Sequence, residues 1–250
     1  IVTEKEHFFH EGGYLVKRNG TYYFIYAHMG RANRPTCIGY AMASNVWGPY
    51  RYGGVIIDND HCDPAVWNNH GSIVQFNGKW YVFYHRSTHA SNTMRKACLE
   101  PITFNEDGTI NEVEMTSQGA GPPLVATNQI DAERACLLFG NTRIIMENSS
   151  NEILSGIRND DKAAYKYVDF GTGIDSVLLR VRSVGNGGVI DVGIDQPWGK
   201  SVGQVHVPPH SKDWMVISAP VKKTEGVHAV WLRFYGKDDV LFEVDWLRFK

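Results

Sequence analysis

Two residues of the first half of the chain could carry out acid–base chemistry. Glu11 stands before a pair of glycines at the entrance to a predicted strand, and His70 lies in the polar segment Asn68–Ser72. A carboxyl group enclosed by aromatic side chains has a raised pKa and could donate a proton at neutral pH. The alternatives are a surface glutamate before a turn and a histidine that is hydrogen-bonded within one.

Three carboxylates of the second half could bind a metal ion. Asp131 and Glu133 are two residues apart on a predicted first strand, so both would point to the same face. Asp245 lies on the predicted last strand. If the two strands meet, the three carboxylates would repel each other unless they share a cation, and oxygen ligands of this kind suit calcium. Separate exposed acids are the alternative.

Composition and missing motifs exclude several classes of protein. A net charge of -2 provides no broad basic surface, so nucleic acid is not an expected partner. No apolar run reaches the roughly 18 to 20 residues of a membrane span, and the first ten residues name no export route. The sequence contains no G-x-S-x-G, P-loop or H-E-x-x-H motif. The absence of C-x-x-C spacing favours free thiols at Cys37, Cys62, Cys98 and Cys136.

An internal repeat organises the first half. The segment Asn19–Ala27 (NGTYYFIYA) returns as Asn77–His85 (NGKWYVFYH), and a short apolar segment precedes each copy. An Asn-Gly pair followed by β-branched and aromatic residues is a hairpin signal. A β-sheet repeat of this length suggests propeller blades, and the residues before equivalent inner strands should then point to a common axis. His85, Arg86 and His89 could reach the same axial cavity.

Two repeats do not close a propeller, which needs at least about four blades. Residues 1–125 have room for two blades and a fraction. Either this chain is the C-terminal part of a larger propeller, or the repeat belongs to an open stack of sheets. We favour the propeller.

The pattern changes near the segment Gly119–Pro123, where we place the domain boundary, and residues 126–250 read as an all-β sandwich. Strands 177–184 and 189–194 flank the linker Gly185–Gly188 (GNGG), and strands 228–235 and 241–249 flank Gly236–Asp239 (GKDD). We predict each of these two pairs to be a hairpin. The predicted fold class is therefore all-β, with blades of an incomplete propeller followed by a β-sandwich of the jelly-roll type.

Six motifs over residues 1–125 resemble the C-terminal blades of glycoside hydrolase family 43. These motifs are Glu11–Lys17 (EGGYLVK), Asn19–Phe24 (NGTYYF), Trp47–Tyr50 (WGPY), Asn69–Ile73 (NHGSI), Trp80–His85 (WYVFYH) and Asp107–Ile110 (DGTI). The resemblance implies a five-bladed β-propeller that hydrolyses glycosides with inversion, using an aspartate base, a second aspartate and a glutamate acid. Members act mostly on α-L-arabinofuranosides and β-D-xylosides, and some act on galactosides.

By position in this resemblance, Glu11 is the general acid. His70 matches a histidine at the bottom of the axial channel, where a hydrated metal ion is expected. Arg95 and Trp67 are further candidates for substrate binding. Both aspartates of the family pattern fall on earlier blades, which these 250 residues do not include. We therefore expect the N-terminal half of the propeller to be supplied by a separate chain or fragment.

Residues 126–250 resemble carbohydrate-binding module family 6. The resemblance rests on Ile130–Glu133 (IDAE), Tyr165–Gly171 (YKYVDFG), Gly187–Asp191 (GGVID), Gly226–His228 (GVH) and Leu241–Trp246 (LFEVDW). It implies a β-sandwich in which Asp131, Glu133 and Asp245 hold a structural calcium ion. It also implies a sugar cleft between two aromatic residues. Trp214 matches one of them, but Gly156 and Glu243 stand where the second aromatic and an asparagine are expected.

The function expected from both resemblances is an inverting, exo-acting glycosidase on side chains of plant cell-wall polysaccharides such as xylan. An α-L-arabinofuranosidase is the first expectation, with a β-D-xylosidase or galactosidase as alternatives. A non-catalytic carbohydrate-binding protein is the alternative from another class. A polymeric substrate cannot enter a cell intact, so we expect an extracellular or periplasmic location, with a carbohydrate as the partner and no membrane.

Overall fold

A computed structural model describes residues 1–183 and 185–250, and the prediction of an all-β chain is confirmed. Within these residues, helix is confined to α1 (Glu4–His7) and two 3-10 turns at Arg31–Asn33 and Ala132–Arg134. No helix in this part of the chain has the length and apolar character that a membrane crossing requires.

The chain forms two compact units. Unit 1 comprises Ile1–Asp60, Ala65–Ser87 and Ser91–Met115, and unit 2 comprises His61–Pro64, Thr88–Ala90 and Thr116–Lys250. The domain division at residue 125 stays a prediction.

Unit 1 contains two antiparallel sheets that correspond to the two predicted repeats. The first sheet has the order β1-β2-β3-β4 and the second the order β5-β6-β7. Their strands are β1 (Phe9–Arg18), β2 (Thr21–His28), β3 (Cys37–Ala43), β4 (Arg51–Asp58), β5 (Ser72–Phe76), β6 (Lys79–Thr88) and β7 (Ser91–Ile102).

Both hairpins predicted from the repeat are confirmed. Arg18 pairs with Thr21 across the first turn, and Phe76 pairs with Lys79 across the second. Each two-residue turn consists of Asn and Gly with positive φ at both positions, +47° and +83° in the first turn and +48° and +77° in the second. This backbone is the tight turn whose twist matches that of the strands it joins.

Tyrosine side chains dominate the interior of the first sheet. Tyr23, Tyr26 and Tyr40 are almost fully buried, yet each hydroxyl has a partner. Tyr26 donates to the carbonyl of His7 at 2.7 Å, Tyr23 donates to that of Gly108 at 2.8 Å, and Tyr40 accepts from the amide of Ile110 at 2.7 Å. Because the rings are buried and the hydroxyls hydrogen-bonded, these contacts fix the loops around the sheet without leaving unsatisfied polar groups.

Unit 2 is a two-layer sandwich. One layer has the order β10-β13-β18-β15-β16 and the other the order β17-β14-β19-β12-β11, while β8 adds to β13 and β9 to β19. The strands are β8 (Leu124–Val125), β9 (Ile130–Asp131), β10 (Leu137–Phe139), β11 (Arg143–Asn148), β12 (Asn151–Ser155), β13 (Lys162–Asp169), β14 (Ile174–Ser183), β15 (Gly188–Ile194), β16 (Ser201–Val207), β17 (Met215–Thr224), β18 (Val227–Tyr235) and β19 (Phe242–Phe249).

The two hairpins predicted for this unit are wrong. β14 pairs with β17 and β19, whereas β15 pairs with β16 and β18. β18 likewise pairs with β13 and β15 rather than with β19. In both cases the short linker joins strands of opposite layers. Val184, at the end of the first predicted strand, lies outside the described residues. Alternating hydrophobicity predicts a strand with one buried face but does not identify its partner.

The sandwich encloses one large apolar core, which includes the fully buried Leu179, Val230, Phe234, Phe242 and Phe249. Cys37, Cys62, Cys98 and Cys136, all among the described residues, form no disulfide bond.

His28 makes the stability of unit 1 dependent on pH. Its Nδ1 accepts a hydrogen bond from the amide of Gly30 at 2.7 Å, and its Nε2 lies 2.9 Å from the hydroxyl of Tyr52. Burial, together with the positive charge of Arg31, lowers the pKa of His28 to about 4, although Asp58 opposes this shift. The folded chain therefore holds a neutral imidazole whose Nδ1 carries no proton.

Between pH 6.5 and pH 4 the unfolded chain binds a proton at His28 that the folded chain does not. We expect the free energy of unfolding to fall as the pH is lowered through this window. We would measure the free energy of unfolding in urea at pH 7 and at pH 5. The decrease between the two pH values should be smaller in a His28→Gln variant than in the wild type. His10→Gln, at an exposed histidine, serves as the control. If His28→Gln loses as much unfolding free energy as the wild type between pH 7 and pH 5, His28 is not the source of the pH dependence.

Candidate active site

Glu11 lies at an irregular point of β1. The pairing of β1 with β2 shifts register on both sides of Glu11, between Phe9 and Glu11 and again between Glu11 and Tyr14. Such bulges change the direction in which a side chain points and occur often beside active sites. The side chain of Glu11 is 60% exposed, so the bulge directs its carboxyl group to solvent.

His70 contacts Glu11 from the second sheet. Its Nε2 lies 3.1 Å from Oε1 of Glu11. A Cβ atom on Gly12 would lie 3.0 Å from the His70 ring, and one on Gly13 would lie 2.3 Å from the ring of Phe24. Gly12 also has a φ of +68°, which side chains disfavour. The two glycines after Glu11 therefore allow the imidazole and the strand to approach each other.

Asn68 orients a second histidine beside this pair. Its Oδ1 accepts hydrogen bonds from Nε2 of His85 at 2.5 Å and from the hydroxyl of Ser87 at 3.1 Å. The rings of His85 and His70 are 6.4 Å apart. Burial, then the positive charge of Arg95, lowers the pKa of His85 to about 4. At neutral pH His85 is therefore uncharged, and because Oδ1 can only accept, its proton is on Nε2.

Buried asparagines anchor the segment that carries His70. Nδ2 of Asn59 donates to the carbonyls of Asn68 at 2.8 Å and His85 at 2.7 Å. Asn69, which is fully buried, donates from Nδ2 to the carbonyl of Thr36 at 2.8 Å. These bonds on both sides of the segment restrict where the His70 ring can lie.

The two other predicted substrate residues lie in different surroundings. Arg95 is exposed, donates to the carbonyl of Asn92 at 3.4 Å, and acts on His85 through its charge. Trp67 is 49% exposed, and the guanidinium of Arg34 lies 4.9 Å from the centre of its ring. The structure thus brings Glu11 and His70 into contact and places Arg95 near enough to His85 to act on it through its charge. Trp67 packs on Arg34 instead.

The residues His85, Arg86 and His89 divide between different environments. His85 lies beside His70, as expected for an axial residue, whereas Nε of Arg86 donates to Sγ of Cys98 at 3.0 Å. His89 belongs to unit 2, where it lies 3.2 Å from a carboxylate oxygen of Glu152.

The predicted calcium ligands do not form one cluster. The first and last strands do meet, since Asp131 of β9 pairs with Trp246 of β19. However, Glu133 lies in a 3-10 turn rather than on the strand, which corrects the expectation that it shares a strand face with Asp131. Among residues 1–183 and 185–250 no group of three His, Cys, Asp or Glu side chains could hold a metal ion.

Asp245 also has protein partners in place of a cation. Its carboxylate forms an ion pair with Arg180 and accepts a hydrogen bond from Asn151 at 2.8 Å. In this arrangement Asp131, Glu133 and Asp245 are not gathered into one three-carboxylate site, and calcium binding by them stays a prediction. The expected ion near His70 stays a prediction.

Charged side chains surround Trp214, the aromatic residue expected in the sugar cleft of the sandwich. The guanidinium groups of Arg180 and Arg182 lie 5.1 and 4.6 Å from the ring centre of Trp214. The indole Nε1 of Trp214 donates to Glu147 at 3.2 Å, and Glu147 pairs with Arg182 at 2.9 Å. Arg182 also pairs with Glu243, so the residue that replaces the expected asparagine takes part in this network.

Sequence reasoning missed the roles of Asn68 and Ser87 and the network around Trp214. Amide and hydroxyl side chains have no characteristic spacing, and arginines on alternate strand positions also occur on ordinary exposed faces. The asparagine run Asn68-Asn69 was the available signal, because a buried asparagine must find hydrogen-bond partners.

Comparisons with known proteins divide the chain in two. Residues 1–110 match the model of glycosyl hydrolases family 43, and residues 139–250 match that of carbohydrate binding module family 6. A xylosidase/arabinosidase of Thermoclostridium stercorarium is 33% identical over 92% of this chain and 54% of its own length. An arabinoxylan arabinofuranohydrolase of Bacillus subtilis is 31% identical over 97% of this chain and 51% of its own length.

A solved structure matches nearly the whole chain. The crystal structure of a glycoside hydrolase family 43 arabinoxylan arabinofuranohydrolase from Bacillus subtilis, in complex with cellotetraose, is 30% identical, with a TM-score of 0.54. The match covers 97% of this chain and 54% of the chain in that crystal structure. The chain thus spans about half the length of these relatives. The resemblances read from the sequence are therefore confirmed, that of residues 1–110 to glycosyl hydrolases family 43 and that of residues 139–250 to carbohydrate-binding module family 6.

Proposed function

We propose that this chain supplies the general acid of an inverting glycosidase that removes side chains from xylan-type polysaccharides. The observation that carries the proposal is the Glu11 carboxyl group, which a bulge directs to solvent and which lies 3.1 Å from His70. The names of the relatives support the substrate class, since they are an arabinoxylan arabinofuranohydrolase and a xylosidase/arabinosidase. An α-L-arabinofuranosidase is the activity that we propose first, with β-D-xylosidase second.

The reaction needs one group that these residues supply and one that they do not. In an inverting enzyme a base takes a proton from water, the water oxygen attacks the anomeric carbon, and the bond to the leaving oxygen breaks. The leaving oxygen takes its proton from the acid, which we assign to Glu11. The base and acid stand about 6.5 to 9.5 Å apart so that water fits between them.

We propose that the base is an aspartate on blades supplied by a separate chain or fragment. His70 would hold the Glu11 carboxyl group in place, and the neutral His85 would allow Arg95 to approach without charge repulsion. Arg95 and Trp67 would bind the sugar. A polymeric substrate again favours action outside the cell or in the periplasm.

Replacing Glu11 by glutamine should slow hydrolysis of an arabinoside with a poor leaving group. The amide keeps the size of the side chain but cannot donate an acidic proton, and general acid catalysis contributes about 10²- to 10⁴-fold. We expect kcat/KM of the assembled protein to decrease by about 10²- to 10⁴-fold. Glu4→Gln, an exposed glutamate of α1, is the matched control. Full activity in Glu11→Gln would contradict the assignment of the acid.

For the sandwich we propose a mainly structural role. Arg180 and Arg182 lie over the ring of Trp214, where they would compete with a sugar ring for its surface, and Gly156 provides no second aromatic ring. An aromatic pair contributes about 0.5 to 1.5 kcal/mol beyond area burial, so the cleft lacks much of its stacking energy.

Trp214→Ala in the assembled protein should therefore leave binding to insoluble xylan and arabinan unchanged in a pull-down assay. Trp246→Ala, a second tryptophan of the same layer, is the control for general effects on folding. A marked loss of polysaccharide binding in Trp214→Ala alone would show that the cleft is used.

A further inference from the structure

A pocket of unit 1, separate from the candidate active site, lies where the hairpin turns after β1 and β5 come together, and we call it the hairpin pocket. It encloses about 420 Å³, a volume within the usual range of small-molecule sites. Its lining comes from the ends of β1 and β5, the turns that follow them and the start of β6, and consists of Lys17, Arg18, Asn19, Gln75, Gly78 and Trp80.

Aromatic side chains hold Arg18 in place. Its guanidinium carbon lies 4.0 Å from the ring centre of Phe104, and its positive charge acts on the hydroxyl of Tyr23. Trp80 packs edge-on against the same Phe104 ring, with the ring centres 5.3 Å apart. Because Arg18 is fixed before any ligand arrives, less conformational freedom is lost on binding.

The positive charges of this pocket are not neutralised by carboxylates. Nζ of Lys17 lies 4.8 Å from the ring centre of Tyr22. Within residues 1–183 and 185–250, neither Lys17 nor Arg18 forms an ion pair. Asp107 acts on Tyr23 through its charge, and its Oδ1 accepts hydrogen bonds from the amide and hydroxyl of Thr109, at 2.9 and 2.6 Å, but it forms no ion pair with Lys17 or Arg18 in the described part of the chain. The pocket therefore favours an anionic group.

Neutral hydrogen-bonding groups complete the lining. The side-chain amides of Asn19 and Gln75 are exposed and make no hydrogen bond to the described part of the chain. Each amide carries both donors and an acceptor, the combination that sugar hydroxyls need. The ring of Trp80 adds an apolar surface on which a sugar ring could pack.

We propose that this pocket binds a saccharide that carries a carboxylate, that is, a uronic acid residue. Arg18 and Lys17 bind the carboxylate, Asn19 and Gln75 bind hydroxyl groups, and Trp80 packs against the ring. The planar guanidinium matches a carboxylate through two parallel hydrogen bonds. The choice of a sugar over another carboxylate rests on the proposed function, in which the substrate is a polysaccharide.

The pocket is remote from Glu11. Seven residues of β1 separate Glu11 from Arg18, which at about 3.3 Å per residue is roughly 20 Å. Binding here would hold an acidic polysaccharide chain without occupying the candidate active site. Variants of the pocket should therefore leave hydrolysis of a small neutral aryl arabinoside unchanged.

Isothermal titration calorimetry of the assembled protein tests the proposal with three probes. These are a xylo-oligosaccharide that carries glucuronic acid, the same oligosaccharide without it, and free sodium glucuronate. We expect the acidic oligosaccharide to bind at least about tenfold more tightly than the neutral one, and added salt to weaken its binding. Free glucuronate should compete, whereas inorganic phosphate should compete less well because it has no sugar ring.

Lys17→Ala and Arg18→Gln should each lower the affinity for the acidic oligosaccharide by about tenfold. Lys5→Ala, which removes an exposed charge elsewhere in unit 1, is the control, and circular dichroism checks that each variant folds. If Arg18→Gln fails to fold, Lys17→Ala and Gln75→Ala decide the question.

Three results would overturn the proposal: equal binding of the acidic and neutral oligosaccharides, unchanged affinity in both charge variants, or equal competition by phosphate. Failure of the proposed function is a separate outcome. Glu11→Gln would then hydrolyse normally, while binding in this pocket would not be affected.

Discussion

The candidate site depends on one break in strand regularity. β1 leaves its register with β2 on both sides of Glu11, and Gly12 adopts a positive φ between these two shifts. A regular strand would direct Glu11 by simple alternation and would carry a Cβ atom where the His70 ring lies. The bulge therefore lets residues 59 positions apart in the sequence, on two different sheets, form a direct contact.

Around this contact the chain controls charge by burial and hydrogen bonding. His85 stays neutral because it is buried beside Arg95, and Asn68 fixes which nitrogen carries its proton. In the sandwich, by contrast, carboxylates neutralise the arginines, since Arg180 and Arg182 both form ion pairs. The cations of the hairpin pocket rest on aromatic rings instead and stay available for an anion. These differences decide which basic residues could meet a ligand.

The sequence predicts those features that local chemistry determines. The Asn-Gly turns need only their own backbone conformation, so both hairpins of the repeat could be placed, as could Glu11 at the start of β1. The pairings of β14 and β18 could not, because a short polar or glycine-containing linker can join strands of one layer or of two. Glu133 was expected on a strand but lies in a 3-10 turn, which separates it from the face of Asp131. The partners of Asp245 depend on contacts between residues distant in sequence, and no spacing reveals them.

The central claim is that Glu11 protonates the leaving oxygen, and its most direct test is the dependence of kcat/KM on leaving-group pKa. The assembled wild-type and Glu11→Gln proteins would be compared on a series of aryl arabinofuranosides. With the acid present, the rate should depend weakly on the leaving group, because protonation offsets the charge that develops on the leaving oxygen. In Glu11→Gln the dependence should become steep, with the most acidic leaving groups nearly unaffected. If plots of log kcat/KM against the leaving-group pKa have the same slope for the two proteins, Glu11 is not the acid.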